Sequence, residues 1–343
     1  MNIMRLVRRF ALAATVLLPG TFACQGPDGG APAGGAAALG GEGRAASAPA
    51  SRQAGWTHEA TSEVTRILIT NDDGIKAPGL QALYTAIRAI PNTEVKVVAP
   101  ATSQSGTGSG FTTGAAMTFN PNALLLNGVD TGVAVGGRPA DAVRVALQKV
   151  YAPGTKPDLV ISGFNSGQNP GLTFASGTVG AAQTSALKGI RSIACSLGTT
   201  FIDPPVFGAA LADYGEAAEI MRKLVTALVA RDGGGLGELG GPFGDDDVML
   251  NINFPPRNIQ GVRVTRPGDF DVAITYVDLP DGRIAPQVDL SSLETFSEVA
   301  LAQGLDTDVG ALAAGFVTVT PWQHGEIGLK RGLGECCGSL LGP

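Results

Sequence analysis

RILITNDDGIKAPGLQAL, residues 66–83, joins the signal for a strand to the signal for a helix. Its first five residues are rich in β-branched side chains, which is typical of a buried strand. The run stops at Asn71-Asp72-Asp73-Gly74, and after Pro78 apolar side chains recur at helical spacing. A second apolar run, Val95–Pro100, follows closely. Strand, helix and strand with short connections form a βαβ unit, so the sequence predicts a parallel sheet.

Strand and helix signals alternate along much of the remaining chain, as expected for an α/β fold. Short strands and turns are expected between residues 115 and 135, including LLLNG and GVAVGG. Further strands are predicted at residues 158–163, 192–198, 248–255, 261–266 and 316–323. Helices are predicted at residues 139–150, 176–188 and 213–231, with one short helix after Asp308. The folded domain is accordingly placed at residues 65–325.

The first 64 residues are typical of an export signal followed by a linker. Three arginines precede a short apolar run, residues 10–20, and small residues follow near Cys24. This order is that of a secretory signal peptide, which we place at residues 1–24. Cys24 is either a lipid-anchored lipoprotein cysteine or lies beside an ordinary cleavage site. Residues 25–64 are rich in Gly, Ala and Pro and predict a flexible linker.

These features predict an exported protein, either periplasmic or anchored to a membrane as a lipoprotein. An uncleaved N-terminal anchor would also place the domain outside the cytoplasm. Residues 326–343 form a Gly-rich tail with the neighbouring pair Cys336 and Cys337, whose pairing the sequence leaves open. Cys195 lies in an apolar run and is predicted to be a small buried side chain.

The composition excludes several classes of function. The net charge is −6 and no basic stripe is present, so duplex nucleic acid is not expected as a partner. Two histidines and the absence of zinc-type spacing exclude a histidine-rich metal site. One of the two, His324, is isolated, and no Ser-His-Asp triad is predicted. No strand is followed by G-x-G-x-x-G, which disfavours a dinucleotide-dependent dehydrogenase.

Short polar side chains follow three of the predicted strands. Asp72 and Asp73 follow the first, the Ser103–Ser109 loop the second, and Asn165 and Asn169 the third. Ligands of open parallel sheets bind outside the carboxyl ends of the strands. Two neighbouring carboxylates are costly unless a cation neutralises them, and carboxylate, hydroxyl and amide oxygens suit Mg²⁺, Mn²⁺ or Ca²⁺. Taken alone, Asp72-Asp73-Gly74 is better explained as an ordinary turn, but with the other two loops at equivalent strand ends a metal site is favoured.

Two further groups of residues have both a functional and a structural interpretation. The turn Ser176-Gly177-Thr178 precedes a helix, whose free N–H groups could bind a phosphate. The alternative is that Ser176 only caps the helix. Asp141 is either an acid of the site or an ordinary carboxylate in the first turn of a helix that follows Pro139.

Several of these motifs, taken in order, resemble the SurE family of survival-protein nucleotidases over roughly residues 66–321. The resemblance implies a Rossmann-like three-layer α/β sandwich with a mostly parallel sheet. It also implies an extended, β-rich C-terminal part used in homodimer or homotetramer assembly. The implied activity is metal-dependent 5′/3′-nucleotidase action on nucleoside monophosphates or other small phosphomonoesters. The matching motifs are RILITNDDGIKAPGLQAL, VVAP…SG, GGRPADAV, DLVISGFNSGQN, SGTVGAA, NINFPP, GVRVTR and TDVGALAAGFVTVTP.

The resemblance also implies roles for individual residues. The implied metal ligands are Asp72, Asp73, Ser105 and Asn165, with Mg²⁺ or Mn²⁺ expected first and Ca²⁺ as the alternative. Asp72 or Asp73 would also accept the proton of the attacking water. We expect Asn71 at the phosphate as well, and we expect N–H groups near Gly106, Asn169 and Ser176 to stabilise charge on the phosphoryl oxygens. The predicted phosphate-binding residues are Asn71, Gly106, Asn169, Ser176, Gly177 and Thr178.

The chain departs from the family pattern at three positions. Ala101 replaces the usual Asp, Gln104 the usual Arg, and Thr184 stands where the family has Glu. These changes motivate a second hypothesis, in which an exported protein binds nucleotides or a metal with weak or no turnover. Release of phosphate from AMP would distinguish catalytic turnover from stoichiometric binding.

Overall fold

The computed structural model describes residues 64–171, 174–198, 214–229, 248–256, 258–269, 274–288 and 296–323. The predicted signal peptide (1–24), the tail (326–343) and all but the last residue of the predicted linker (25–64) lie outside these ranges. The same holds for Cys24, His324, Cys336 and Cys337. The interpretations of those segments and residues therefore stay predictions.

A nine-stranded sheet dominates the described structure, in the order β3-β4-β2-β1-β5-β6-β7-β11-β8. The run from β4 to β7 is parallel throughout, whereas β3 pairs with β4 and β11 pairs with β7 in antiparallel fashion. The predicted α/β class with a mostly parallel sheet is confirmed. The strands of this sheet are β1 (Thr65–Thr70), β2 (Thr93–Pro100), β3 (Phe119–Leu124), β4 (Thr131–Val135), β5 (Leu159–Ser166), β6 (Ser192–Leu197), β7 (Val248–Phe254), β8 (Gly261–Val264) and β11 (Phe316–Gln323).

The helices follow the predicted pattern with two differences. The helix predicted at residues 139–150 is α-helical to Val145 and continues as a π-helical turn over Ala146–Val150. A helix at Phe296–Ala302 was not predicted. The helices are α1 (Pro78–Ile87), α2 (Pro139–Val145), α3 (Gly177–Ala186), α4 (Tyr214–Val229), α5 (Phe296–Ala302) and α6 (Asp308–Ala313). Nowhere in the described ranges is a helix long and apolar enough to cross a membrane.

Helices cover both faces of the sheet because its central strands are apolar on both faces. Ile67 and Ile69 of β1 are fully buried in a core shared with α1 and α4, whereas Leu68 packs in the core that includes α2. The central strand is therefore buried from both sides, which gives the expected three layers. Cys195 is fully buried in the first of these cores, as predicted.

The predicted C-terminal β-rich part is present as additional strands beyond the parallel core. β8 and β11 extend the sheet, and β9 (Ile274–Asp278) pairs with β10 (Ile284–Val288) as a separate antiparallel hairpin. Short strands and a turn are present between residues 115 and 135, as predicted. Leu124 ends β3, and the next residues form a turn in which the N–H of Leu125 donates to the carbonyl of Asp130 at 2.9 Å.

Candidate active site

The candidate site lies at the point where the chain order of the sheet reverses. From β1 the chain proceeds to β2 and β4 on one side, whereas β5 and β6 lie on the other side. The loops after β1 and β5 leave neighbouring parallel strands at the same edge of the sheet. This is the position at which open α/β sheets form a crevice for ligands.

The turn after β1 is shaped by Asn71 and Gly74. Asn71 is fully buried; its Oδ1 accepts from the N–H of Gly74 at 3.1 Å, and its Nδ2 donates to the carbonyl of Gly74 at 3.0 Å. Gly74 has a φ of +104°, which only glycine adopts at little cost. The Asn71 side chain thus holds the turn that presents Asp72 and Asp73, and its predicted contact with a phosphate stays a prediction.

Asp72 is held by the amino end of α3. Thr178 Oγ1 donates to Asp72 Oδ1 at 2.5 Å, and the N–H groups of Gly177 and Thr178 also favour the carboxylate. Burial nevertheless raises the pKa of Asp72, because only 2% of the residue is exposed. A Cβ on Gly177 would lie 2.8 Å from Asp72 Cβ. The structure therefore brings Asp72, Gly177 and Thr178 together, with the N–H groups of α3 directed at the carboxylate.

Asp73 is half-buried beside the start of the loop after β5. Its Oδ2 accepts from the N–H of Ser166 at 2.8 Å. Burial and the neighbouring Asp72 raise the pKa of Asp73 to about 6, although the Ser166 hydrogen bond acts to lower it. In the described part of the chain neither carboxylate forms an ion pair with a Lys, Arg or His side chain. Two close carboxylates without a counter-ion favour a bound cation or a proton.

Asn165 supplies a third oxygen at this edge. Its Nδ2 donates to the carbonyl of Gly167 at 2.7 Å, which fixes the orientation of the side-chain amide. Over the described ranges no donor is hydrogen-bonded to Asn165 Oδ1. Because the N–H of the following residue, Ser166, donates to Asp73 Oδ2, Asn165 directly precedes a residue that contacts the carboxylate pair. Its carbonyl oxygen is available to a cation.

The loop after β2 is hydrogen-bonded to the turn after β1 at one end and to the segment before α3 at the other. The N–H of Gln104 donates to the carbonyl of Asp72 at 2.7 Å, and the N–H of Gly108 donates to the carbonyl of Ala175 at 2.9 Å. Ser105 is exposed one residue beyond the first attachment, with its Oγ 3.4 Å from that of Ser103. Ser105 thus follows a residue that contacts Asp72, but the structure shows no hydrogen bond between Ser105 and either carboxylate among the described residues.

The N–H of Asn169 does not have the role that we expected. Instead of facing the substrate it donates to Asn253 Oδ1 at 2.7 Å, because β7 presents two asparagines beneath this loop. Asn251 Nδ2 also donates to the carbonyl of Asn169. The side chain of Asn169 in turn donates from its Nδ2 to Ser196 Oγ. Sequence reasoning missed Asn251 and Asn253 as site residues. The signal was their spacing, since polar residues two apart in an otherwise apolar strand share one face.

The remaining predicted residues have structural partners in the described chain. Ser176 caps α3, accepting from the N–H of Val179 at 3.1 Å, and its predicted contact with a phosphate stays a prediction. Thr184, which replaces the family's Glu, is buried and donates to the carbonyl of Gly180. Asp141 accepts from Thr112 and from the N–H of Arg138, so the first-turn interpretation of Asp141 is confirmed. Gly106 has a φ of +79°, and its predicted phosphate contact stays a prediction.

A cavity of about 520 Å³ opens beside Asp73. Lys76 and Ala101 lie in its wall, so the position at which the family usually carries Asp adds no negative charge here. Tyr214 closes one side and packs against Phe164 with ring centroids 5.9 Å apart. The cavity can therefore accept a polar or aromatic group attached to an anion at the carboxylates.

The donors at this edge fit a hard divalent cation. Within the described ranges no cluster of three or more His, Cys, Asp or Glu residues is present, so a site here would combine two carboxylates with neutral oxygens. Asp72, Asp73 and Asn165 offer carboxylate and amide oxygens, and Ser105 offers a hydroxyl. This set suits Mg²⁺, Mn²⁺ or Ca²⁺ and does not suit a soft metal.

Comparisons with known proteins relate the chain to one family. A sequence model described as Survival protein SurE matches residues 67–273. The 5′-nucleotidase SurE of Desulfitobacterium hafniense is 36% identical over 277 residues, covering 76% of this chain and 91% of the relative. That of Erythrobacter litoralis is 38% identical over 268 residues, covering 75% and 93%. The crystal structure of the SurE protein from Aquifex aeolicus superposes with a TM-score of 0.57 at 27% identity, covering 80% of this chain and 99% of that one.

Proposed function

The chain belongs to the SurE family, and from this membership we propose that it is a metal-dependent 5′-nucleotidase that releases phosphate from nucleoside monophosphates. The relatives named above carry the name 5′-nucleotidase SurE. The observation that carries the proposal is the pair of neighbouring carboxylates, Asp72 and Asp73, which lack a cationic partner in the described structure and have raised pKa values. A divalent cation would relieve their repulsion and attract a phosphate dianion.

Asp72, Asp73, Asn165 and Ser105 would hold the cation. When bound, such an ion withdraws charge from a phosphoryl oxygen and lowers the pKa of a bound water. The other residues set the geometry of these ligands. Thr178 orients Asp72, and the N–H of Ser166 orients Asp73, which lines the cavity. We assign to Asp73 the acceptance of the water proton, because it is the carboxylate that lines the cavity.

The substrate would be bound with its phosphate at the carboxylates and its nucleoside in the cavity. Lys76 supplies a positive charge on the cavity wall, at a site where Gln104 does not provide the family's usual Arg. The Asn169 side chain retains one N–H of its Nδ2 for an anion, since the other is donated to Ser196 Oγ at 2.9 Å.

The test is hydrolysis of AMP and of p-nitrophenyl phosphate in the presence of Mg²⁺ or Mn²⁺. We expect Asp73→Asn to lower kcat by at least about 100-fold, in the range lost on removing a general base. Asp281→Asn is the matched control, because Asp281 is an exposed carboxylate in the turn between β9 and β10. Retention of full activity by folded Asp73→Asn, or wild-type activity unaffected by EDTA, would overturn the proposal.

The second candidate function is an exported protein that binds nucleotides or a metal with weak or no turnover. It is favoured by Thr184, which bonds its own helix and offers no charge to the site, and by the neutral residues Ala101 and Gln104. Incubation with excess AMP distinguishes the two functions. An enzyme releases many equivalents of phosphate for each chain, whereas a binding protein retains at most a stoichiometric amount of AMP.

We also propose export and assembly, which follow from the sequence and the family resemblance. The segment with Cys24 would direct the chain out of the cytoplasm, and a homodimer or homotetramer would form through the C-terminal strands. Metabolic labelling with a radioactive fatty acid, compared between wild type and Cys24→Ser, tests the lipid anchor. Sedimentation equilibrium of the purified protein tests the oligomer.

A further inference from the structure

The loop after β5, residues 168–171, is bound by the side chains of β7. The side-chain amide of Asn253 binds both the backbone N–H and the backbone carbonyl of Asn169. Its Oδ1 accepts from the N–H at 2.7 Å, and its Nδ2 donates to the carbonyl at 3.3 Å. Asn251 Nδ2 donates to the same carbonyl at 2.7 Å. Two side chains on one strand therefore fix the backbone of one residue, Asn169, which lies more than 80 residues earlier in the chain.

Further contacts attach the rest of this loop. Gln168 Nε2 donates to the carbonyl of Phe254 at 3.0 Å, and the N–H of Gly171 donates to Asp308 Oδ2 at 2.9 Å. Asn251, Asn253 and Asp308 are fully buried. Hydrogen bonds in such a low-dielectric setting are stronger than in water, and a connected set of them rigidifies what it holds. The loop therefore has little freedom to shift relative to β7.

The asparagines serve the loop and not the stability of the strand. β7 alternates, with Leu250 and Ile252 packed in the apolar core and the asparagines on the opposite face. A buried amide is costly unless all of its groups are hydrogen-bonded, and Asn251 Oδ1 has no partner among the described residues. Apolar side chains at these two positions would suit a buried strand better.

We propose that Asn251 and Asn253 are positioning residues for phosphate binding, acting through Asn169. The amides of Asn251 and Asn253 hold the backbone of Asn169. In that position the Asn169 side chain donates one N–H to Ser196 and presents the other N–H to the phosphate. This inference rests on the proposed function for the identity of the bound group. It assigns a role in the site to β7, a strand whose own residues do not line the cavity beside Asp73.

The test uses Asn253→Asp, which keeps the shape of the side chain. The carboxylate introduced by Asn253→Asp would still accept from the N–H of Asn169, as the Asn253 amide does. It cannot donate to the Asn169 carbonyl, and its second oxygen repels that carbonyl oxygen. We expect inhibition by inorganic phosphate to weaken about 10-fold and kcat/KM for AMP to fall at least as much, as the loss of one buried hydrogen bond implies. The affinity for Mn²⁺ should stay within about 2-fold, since the carboxylate pair is untouched. Asn122→Asp, at an exposed asparagine of β3, is the matched control.

A double-mutant cycle with Asn169→Ala separates positioning from general destabilisation. If Asn253 acts through Asn169, adding Asn253→Asp to Asn169→Ala produces little further loss of phosphate inhibition. Additive losses, or unchanged phosphate inhibition in folded Asn253→Asp, would overturn the proposal. Should Asn253→Asp fail to fold, Asn251→Asp takes its place and the same outcomes apply. Among the described residues, the side chain of Asn251 forms a hydrogen bond only with the carbonyl of Asn169.

The same experiments distinguish this inference from the proposed function. A wild-type protein that never turns over AMP contradicts the nucleotidase proposal. The positioning role is then judged by calorimetric titration of the manganese-loaded protein with inorganic phosphate alone, where equal affinities for wild type and Asn253→Asp would overturn it.

Discussion

Thr178 carries the one side-chain donor that reaches Asp72 in the described structure. Burial raises the pKa of Asp72, and the hydrogen bond from Thr178 opposes that rise by favouring the charged form. Thr178→Val removes the hydroxyl at nearly constant volume, so the carboxylate becomes less well oriented and more readily protonated. We expect the affinity for Mn²⁺ to fall about 10-fold, at the lower end of the effect of residues that orient metal ligands. Isothermal titration calorimetry at pH 7 measures the change.

The control for Thr178 is Thr178→Ser, which keeps the donor and loses only a methyl group. Its affinity for Mn²⁺ should stay close to that of the wild type. Equal affinities for the Val and wild-type proteins would show that the hydroxyl does not support the proposed ligand.

The raised pKa of Asp308 predicts a pH dependence of the unfolding free energy that does not involve the proposed metal ligands. Burial raises the pKa of Asp308 to about 6 from 3.8, although the N–H groups of Gly171 and Gly268 act to lower it. A raised pKa in the folded chain means that the contribution to stability is complete below about pH 4 and is lost as the pH rises through 6. Asp308→Asn stays neutral throughout. We expect its unfolding free energy to fall less than that of wild type between pH 4.5 and pH 7, by about 2 kcal/mol.

Urea unfolding of the metal-free proteins at both pH values gives this difference directly. Titration of Asp72 and Asp73 contributes equally to both proteins and cancels. Asp306→Asn is the control, since Asp306 is exposed and its pKa is lowered by Arg266. An identical pH dependence in wild type and Asp308→Asn would refute the assignment.

At the scale of elements, the position of the loop after β2 depends on how closely its backbone approaches the segment before α3. Gly108 has a φ of +54°, and a Cβ there would lie 2.4 Å from the carbonyl oxygen of Phe174. Gly108→Ala must therefore displace the loop that carries Ser105. We expect a several-fold loss of Mn²⁺ affinity and a destabilisation of about 1–3 kcal/mol, typical of overpacking. Calorimetric metal titration and thermal unfolding measure the two effects.

Gly114→Ala is the matched control for this loop. Gly114 also has a positive φ, +72°, but no atom lies within 4 Å of an added Cβ. The control measures the backbone cost alone, and its Mn²⁺ affinity should equal that of wild type. The role of the close approach is disproved if the two variants bind Mn²⁺ equally well.

The elements predicted correctly are those with strong local signals. β1 and β5 are continuous apolar runs between polar turns, and α4 is amphipathic, so each was found within a few residues. LLLNG could be assigned only to a region of short strands and turns, because a short apolar run does not distinguish a strand from a turn that buries one side chain, here Leu125. The short helix α5 was missed although Thr295 and Glu298 have the spacing of a capping box, because its seven residues are too few to show a helical period.

The site was predictable where its residues follow neighbouring strands and unpredictable where they meet across the fold. Asp72, Asp73 and Asn165 come from adjacent parallel strands, whose ends share an edge. The pairing of Asn169 with Asn253 links positions 84 residues apart and depends on the register of β5, β6 and β7. Local pattern cannot specify such a register, which is why the Asn169 N–H was assigned to the substrate.

At the scale of the whole molecule, binding of a metal should couple directly to stability. A ligand that binds only the folded chain stabilises it by RT ln(1 + [L]/Kd), about 2.7 kcal/mol at 100 times Kd. For a chain of this size that corresponds to a rise in Tm on the order of 5–10 °C. We expect this rise when Mn²⁺ is added to EDTA-treated wild type, and very little in Asp73→Asn, whose side chain brings one charge fewer to the cation.

Differential scanning calorimetry at pH 7 measures this shift, with Asp281→Asn as a variant that should respond like wild type. Metal-free Asp73→Asn should itself be slightly more stable than metal-free wild type, because the repulsion with Asp72 is gone. Asp73→Asn should therefore be more stable than wild type without the metal and less stable than wild type with it, and both differences arise from the same carboxylate pair. An Mn²⁺-dependent rise of equal size in Asp73→Asn would mean that the ion binds elsewhere on the molecule, and the carboxylate pair would then need another partner.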